Sequence, residues 1–323
     1  MRLPKMYSFL KKDLDLIESA LHQSIQAEHP VLRNASIALL DAGGKRIRPV
    51  FVLLAGQIGN YNIERIQKIA VTLELIHMAT LVHDDVIDEA ELRRGKPTIK
   101  SVYGNRVAMY TGDYILARAL EVVTSIKDVQ VHQLLSKTLV EVSIGEVEQI
   151  KDKFKWDQTL RDYLRRIKRK TALLIATSCK LGAIASGLSE RDAGKLYRYG
   201  YYIGMSYQII DDILDFTSSA KELGKPAGND LLQGNITLPV LYAMRDRSFY
   251  KLLREIFANP STVGDQEMQQ IISELKKTQA IMQAYETSDL YLQKALKSLD
   301  SLPASKAKQT LQDIAKYIGK RRS

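Results

Sequence analysis

Apolar side chains recur along this chain at three- and four-residue intervals over most of its length. That is the spacing of one face of an α-helix. It predicts helices near residues 6–27, 31–42, 49–58, 63–89, 107–125, 129–152, 157–167, 171–186, 190–217, 237–257, 265–276 and 280–299, with a last one near 304–319. Turn-forming pairs separate these blocks: His29-Pro30, Gly43-Gly44, Gly59-Asn60, Ser186-Gly187 and Asn259-Pro260. Pro49 suits a first helical position. No alternation of period two runs for more than a few residues, and no solenoid-length repeat is visible. The longest irregular piece is Thr217 to Asn235, rich in Gly, Lys and Asp, and reads as a mobile flap or a plain surface loop.

Composition sharpens this picture. The 323 residues contain 18 glycines and 8 prolines, fewer than the roughly 7% and 5% of an average chain, which fits long helices and few turns. Apolar residues at 45% and charged residues at 26% describe a globular protein with a substantial core. The single Cys179 excludes a disulfide framework or a multi-cysteine zinc site, and suits a reducing compartment. No uncharged stretch approaches the ~18 residues of a membrane span. The first residues lack the apolar core of a signal peptide. A cytoplasmic location is expected. The net charge of +10 admits nucleic acid, an anionic membrane surface or polyanionic small substrates as partners. The densest basic stretch, Lys151 to Lys170, reads first as a solvated helix face.

Two acidic clusters carry the chemistry. Asp84-Asp85-Val86-Ile87-Asp88 and Asp211-Asp212-Ile213-Leu214-Asp215 share the form DDxxD, each toward the C-terminal end of an apolar helix. Asp84 and Asp88 share a helix face, as do Asp211 and Asp215. Like charges at that spacing repel, and carboxylates near a helix C-terminus oppose its dipole. One such cluster is more often a solvated helix end. Two with the same pattern point to a hard divalent ion, since Mg²⁺ takes one or two carboxylates plus water and substrate phosphate. His77 continues the stripe of Asp84 and Asp88, and Gln208 that of Asp211 and Asp215.

Cations surround these motifs in sequence. Gly43-Gly44-Lys45-Arg46-Ile47-Arg48-Pro49 is a turn running into a helix, where exposed N–H groups with Lys45 and Arg48 could cradle phosphate. Arg93 and Arg94 follow the first acidic motif, Lys170-Thr171 opens another helix, and Lys225 lies in the irregular segment. Singly, each is a surface cation. Together with two acidic motifs they suit a diphosphate held partly through Mg²⁺.

The set GGKRIRP, LVHDDVIDEAELRRGKPT, KT, YQIIDDILDF, LGKPAGND and TLP, in this order, resembles the trans-isoprenyl diphosphate synthases, and within them the catalytic subunit of the heteromeric heptaprenyl diphosphate synthases. The resemblance covers essentially the whole chain. It implies an all-α, single-domain bundle over residues 1–323, with about 12–13 helices around a deep central cavity and the acidic motifs on facing walls. It implies three Mg²⁺ ions held by Asp84, Asp88 and Asp211, with Asp85, Asp212 and Asp215 in support. Lys45, Arg48, His77 and Arg94 would hold isopentenyl diphosphate; Arg93, Lys170, Thr171, Gln208 and Lys225 the allylic diphosphate. Many relatives carry Lys where this chain has Asn235.

The implied reaction ionises an allylic diphosphate, adds isopentenyl diphosphate head to tail and loses a proton, making an all-trans prenyl diphosphate. Chain length is a matter of geometry. Ala79 and Thr80 lie about one turn below Asp84, and Ile76 about 12 Å below it at ~1.5 Å per residue. Aromatic residues near here close the tunnel in short-chain members; both are small in this chain, so a product longer than geranylgeranyl is expected, with heptaprenyl favoured. Ala79 and Thr80 could instead simply pack a core. The product could feed a menaquinone side chain. A different, smaller subunit is the expected partner, with a homodimer as the alternative, and transient membrane contact would release the product. No nucleic-acid motif occurs. A class I terpene cyclase and a non-catalytic subunit of a heteromeric synthase are the competing readings.

Overall fold

Helix α5, Ile63–Ile87, is buried on every side through its middle: Ile69 through Ile76 are all covered. A helix buried on every side needs neighbours on every side. Asn62 starts it, its side chain accepting from Arg65 N. The computed structural model describes residues 3–93, 95–218 and 226–321, so Arg94 and Lys225 lie outside the described residues, as does the 219–225 stretch of the expected flap.

In chain order the helices before α5 are α1 Leu3–Met6, α2 Lys11–Ser24, α3 Pro30–Asp41 and α4 Ile47–Gly56. After it come a two-residue hairpin, β1 Leu92–Arg93 and β2 Lys96–Pro97, then α6 Ile99–Thr124, α7 Val129–Lys151 and α8 Leu160–Ile167. A π-helical turn, Lys168–Ala172, leads into α9 Leu173–Ala185, followed by α10 Glu190–Thr217. The rest are α11 Asn229–Leu232, α12 Leu238–Ala243, α13 Arg247–Ile256, α14 Asp265–Lys277, α15 Ala280–Leu299 and α16 Lys306–Gly319. The fold is all-α, as the periodicity indicated.

Four details differ from the sequence reading. The expected 237–257 helix breaks in two, because Asp246 caps a new helix by accepting from the Ser248 and Phe249 N–H groups. Helix α6 starts eight residues early, where Thr98 accepts from Ser101 N, and Gly104 at φ 80° interrupts it. The irregular 217–235 segment contains α11, so short turns and split helices take the number past twelve or thirteen. The 157–167 and 171–186 helices are joined rather than separated, through the π turn.

The chain divides into two compact units. The first comprises 1–137, 174–200 and 299–314. In it α5 packs against α2, α4 and α6. Phe51 meets Tyr199 edge-on, and the buried Tyr199 hydroxyl donates to Leu311 O at 2.7 Å. Cys179 is fully buried here, and burial pushes its thiol well above the ordinary range.

The second comprises 138–173, 201–298 and 315–323. Its core gathers Phe216, Leu231, Ile236, Val240, Phe249, Leu253, Ile271 and Leu275. Gly204 of α10 lies against the π turn: a Cβ there would meet Ala172 Cα at 2.5 Å, so only glycine allows this approach.

Candidate functional site

In the first unit, the Gly43–Arg48 turn is fixed by one side chain. Arg46 caps α4 in the left-handed region, φ 46° and ψ 39°, which a non-glycine residue enters only at a cost. Its guanidinium donates to Glu18 Oε2 at 2.8 Å, to Glu18 Oε1 at 2.7 Å, to Glu74 Oε1 at 3.3 Å and to Leu40 O at 3.2 Å. Three helices are thus tied to the turn between the two glycines and α4. Glu74 is buried, so the pair is a shielded one. Lys45, next to this clamp, is exposed, and Arg48 is half-buried. Pro49 stands third in α4 rather than first, where its missing N–H is still no loss.

The first acidic motif splits by helix phase. Asp84 and Asp88 are half-exposed, with Asp88 capping the end of α5. Asp85 is buried and accepts from Arg93. Burial pushes the Asp85 carboxyl up, and the Arg93 guanidinium draws it back. A pocket of about 120 Å³ brings His77, Asp85 and Arg93 together with Gly43, Arg46 and Glu74; Lys45, Arg48 and Asp84 do not line it. Ile76 and Ala79 are sealed, whereas Thr80 is half-buried and donates to His77 O at 2.8 Å.

In the second unit the second motif splits the same way. Asp211 is half-exposed, and Asp212 and Asp215 are buried. Asp212 Oδ2 accepts from the Tyr163 hydroxyl at 2.7 Å and Oδ1 from Gln208 Nε2 at 2.9 Å. Gln208 Oε1 in turn accepts from the Thr171 hydroxyl at 2.6 Å. Burial, then the nearby Asp230 charge, pushes the Asp212 carboxyl up to about 7. Asp215 faces inward rather than along the stripe of Gln208 and Asp211; its Oδ2 accepts from Asp230 N at 3.3 Å and so anchors α11.

The basic stretch before Thr171 is a solvated face only in part: Lys151, Lys155, Arg161 and Arg165 are exposed, but other cations turn inward. Arg166 is buried, donating to Gln158 Oε1 at 2.6 Å and to Ile236 O. Arg169 pairs with Glu141 and Glu148. Lys170 donates to Gln149 Oε1 at 2.8 Å. The π turn sets Lys170 and Thr171, and such turns recur at functional sites.

Residues 29–275 match the polyprenyl synthetase family. The chain belongs to that family. It is 59% identical to heptaprenyl diphosphate synthase component 2 of Bacillus subtilis, over 100% of this chain and 92% of that one. Among solved structures, heptaprenyl diphosphate synthase from Staphylococcus aureus is 43% identical, with a TM-score of 0.91, covering 97% of this chain and 99% of that one. A polyprenyl synthase from Caulobacter crescentus, complexed with calcium and isoprenyl diphosphate, is 26% identical, with a TM-score of 0.94, covering 100% of this chain and 98% of that one.

A divalent ion, as expected of a polyprenyl synthetase, fits the donor set. Asp84 and Asp88 of the first unit, and separately Asp211 of the second, are half-exposed hard-oxygen donors, and at Asp211 a cation already stands in: Arg321 Nη1 lies 3.0 Å from Asp211 Oδ1. Among the described residues no three His, Cys, Asp or Glu side chains converge on one point. An ion at either motif would therefore complete its shell with water and phosphate oxygens, as Mg²⁺ does. Sequence reasoning passed over Tyr163, Arg166 and Arg321. Only the first had a signal, a tyrosine on the apolar face of a basic helix. Asn235 is half-buried, its N–H donating to Asp230 O at 2.8 Å. No helix among the described residues is long and apolar enough to cross a membrane.

Proposed function

We propose that this polyprenyl synthetase condenses isopentenyl diphosphate with an allylic diphosphate to give a long all-trans prenyl diphosphate, heptaprenyl in length. The observation that carries this is the paired partition of the acidic motifs: in each, the first aspartate is half-exposed and the second is buried against a residue placed beside it, Arg93 or Gln208. The length follows from the 59% identity to the Bacillus subtilis component 2 and from small residues at Ala79 and Thr80.

Asp84 and Asp88 would hold magnesium at the first motif and Asp211 at the second, with diphosphate oxygens completing each shell. Bound there, Mg²⁺ supplies Lewis-acid charge that neutralises the leaving diphosphate. Arg93, fixed on Asp85, and Lys170 and Thr171, fixed on the π turn, add donors for the allylic diphosphate. Lys45, Arg48 and His77 orient isopentenyl diphosphate, with Arg46 holding the turn. Two reactants held in register convert an encounter into an internal reaction. Apolar side chains that line the pocket, such as Met78 and Leu81, would keep water from the carbocation.

The name component 2 of the Bacillus subtilis relative supports a second, different subunit for this chain too. The expected setting is cytoplasmic, with the product serving a quinone side chain. The test is incubation of the purified chain with Mg²⁺, isopentenyl diphosphate and farnesyl diphosphate, with and without a candidate partner, and mass analysis of the products. Elongation by four isoprene units supports the reading. A cyclic hydrocarbon, or no elongation with any partner, overturns it.

A further inference from the structure

The cation at Asp211 is part of the chain itself. Arg321 follows α16, and its backbone N–H donates to Ile318 O at 3.1 Å, so the residue is tethered to the helix end. Its guanidinium lies over the Tyr207 ring, 5.2 Å from the centroid, one turn before Asp211 on α10. Nη1 comes within 3.0 Å of Asp211 Oδ1, and both side chains are largely covered, 23% and 34% exposed. A fork seated on an aromatic face and aimed at one carboxylate is a placed group, not a passing surface contact.

We propose that Arg321 is a built-in place-holder for the divalent cation at Asp211. The inference rests on the metal reading above. A metal ion and a guanidinium cannot both sit on Asp211 Oδ1 without facing each other at close range, where like charges repel strongly in a half-buried setting. Arg321 must therefore leave as the metal enters. While no substrate is present, the guanidinium neutralises Asp211 and lowers its affinity for free metal. When metal arrives with a diphosphate, the added negative charge offers the displaced guanidinium a new acceptor. Arg321 thereby biases the second acidic motif toward metal–diphosphate and against metal alone. That order keeps bare Mg²⁺ from filling the site ahead of the substrate.

The test is Mn²⁺ titration of the full chain, followed by electron paramagnetic resonance, without substrate. R321M should bind Mn²⁺ about fivefold to tenfold more tightly than the wild type, with R321K in between, since lysine keeps the charge but not the fork. D211N/R321M should bind no more tightly than D211N, because the gain works through Asp211. Circular dichroism melts on the same samples establish that each variant is folded. Unchanged or weaker Mn²⁺ binding in both R321M and R321K overturns the proposal, as does an equal gain in the D211N background. Failure of every variant to bind Mn²⁺ even with inorganic diphosphate overturns the metal reading, and this proposal with it.

Discussion

The Arg93 guanidinium holds one oxygen of Asp85, through Nε at 2.8 Å and Nη2 at 2.7 Å. The acid is buried and the base half-buried at the start of the β1–β2 hairpin. On the proposed function, Asp85 would act on the allylic diphosphate through Arg93. D85N should raise KM for the allylic diphosphate about tenfold, the scale of one charged hydrogen bond at ~1.5–3 kcal/mol. KM for isopentenyl diphosphate should stay within twofold. Equal effects on both substrates in steady-state assays would contradict this.

Arg46 is the clamp of the Gly43–Arg48 turn. R46M strands Glu74 as a buried charge with one partner gone, and loss of one side of a buried pair costs about 3–5 kcal/mol. E74Q should recover much of that loss in the R46M background. Urea denaturation of the four proteins of this cycle gives the coupling directly. Additive losses would show that the two side chains act independently.

Thr80 and Ala79 differ in a way the sequence does not show. Ala79 is sealed, while Thr80 is half-buried. T80F should therefore be accommodated and shorten the product by one or more isoprene units. A79Y should cost stability as well, by about 1–3 kcal/mol of overpacking. Thin-layer or mass analysis of products, read beside thermal melts, separates the two. A T80F product of wild-type length would place the tunnel floor elsewhere.

Asp162 closes a capping box with Thr159 at the start of α8, the helix that carries Tyr163 and Arg166. Hydrogen bonds from the Thr159 hydroxyl and N–H hold its carboxyl below the ordinary range. A depressed folded-state pKa gives stability that is present above the unfolded value and lost as pH falls through the folded one. D162A should be less stable than the wild type by about 0.5–2 kcal/mol at pH 7. The gap should close as pH drops below ~4. Denaturation midpoints at pH 7, 5 and 3 check the sign; a gap that widens in acid would refute it.

The helical pattern was legible because 3.6-residue periodicity is a local property. The acidic motifs were legible because two runs of like charge on apolar helices are costly without a counter-ion. The division of labour within each motif was half-legible. Adjacent positions on a helix point about 100° apart, so Asp84 and Asp85 could not share a role. Asp85 turned inward because it is in phase with the buried Met78 and Val82, and Arg93 meets it there. The basic run before Thr171 misled at Arg166 for the same reason: it looks like its exposed neighbours Arg161 and Arg165 until Gln158 and Ile236 O are found beside it.

By itself, the sequence determined the all-α architecture, the two DDxxD motifs, the glycine-rich turn before α4 and the family. Those rest on spacing along a helix and on residue chemistry. Tertiary structure alone decided that Arg46 answers to Glu18 and Glu74, that Tyr163 holds Asp212, and that Arg321 returns to Asp211. Each of these joins residues far apart in the chain. A charge or hydroxyl chooses its partner by what burial brings within about 3 Å, and no local pattern records that distance.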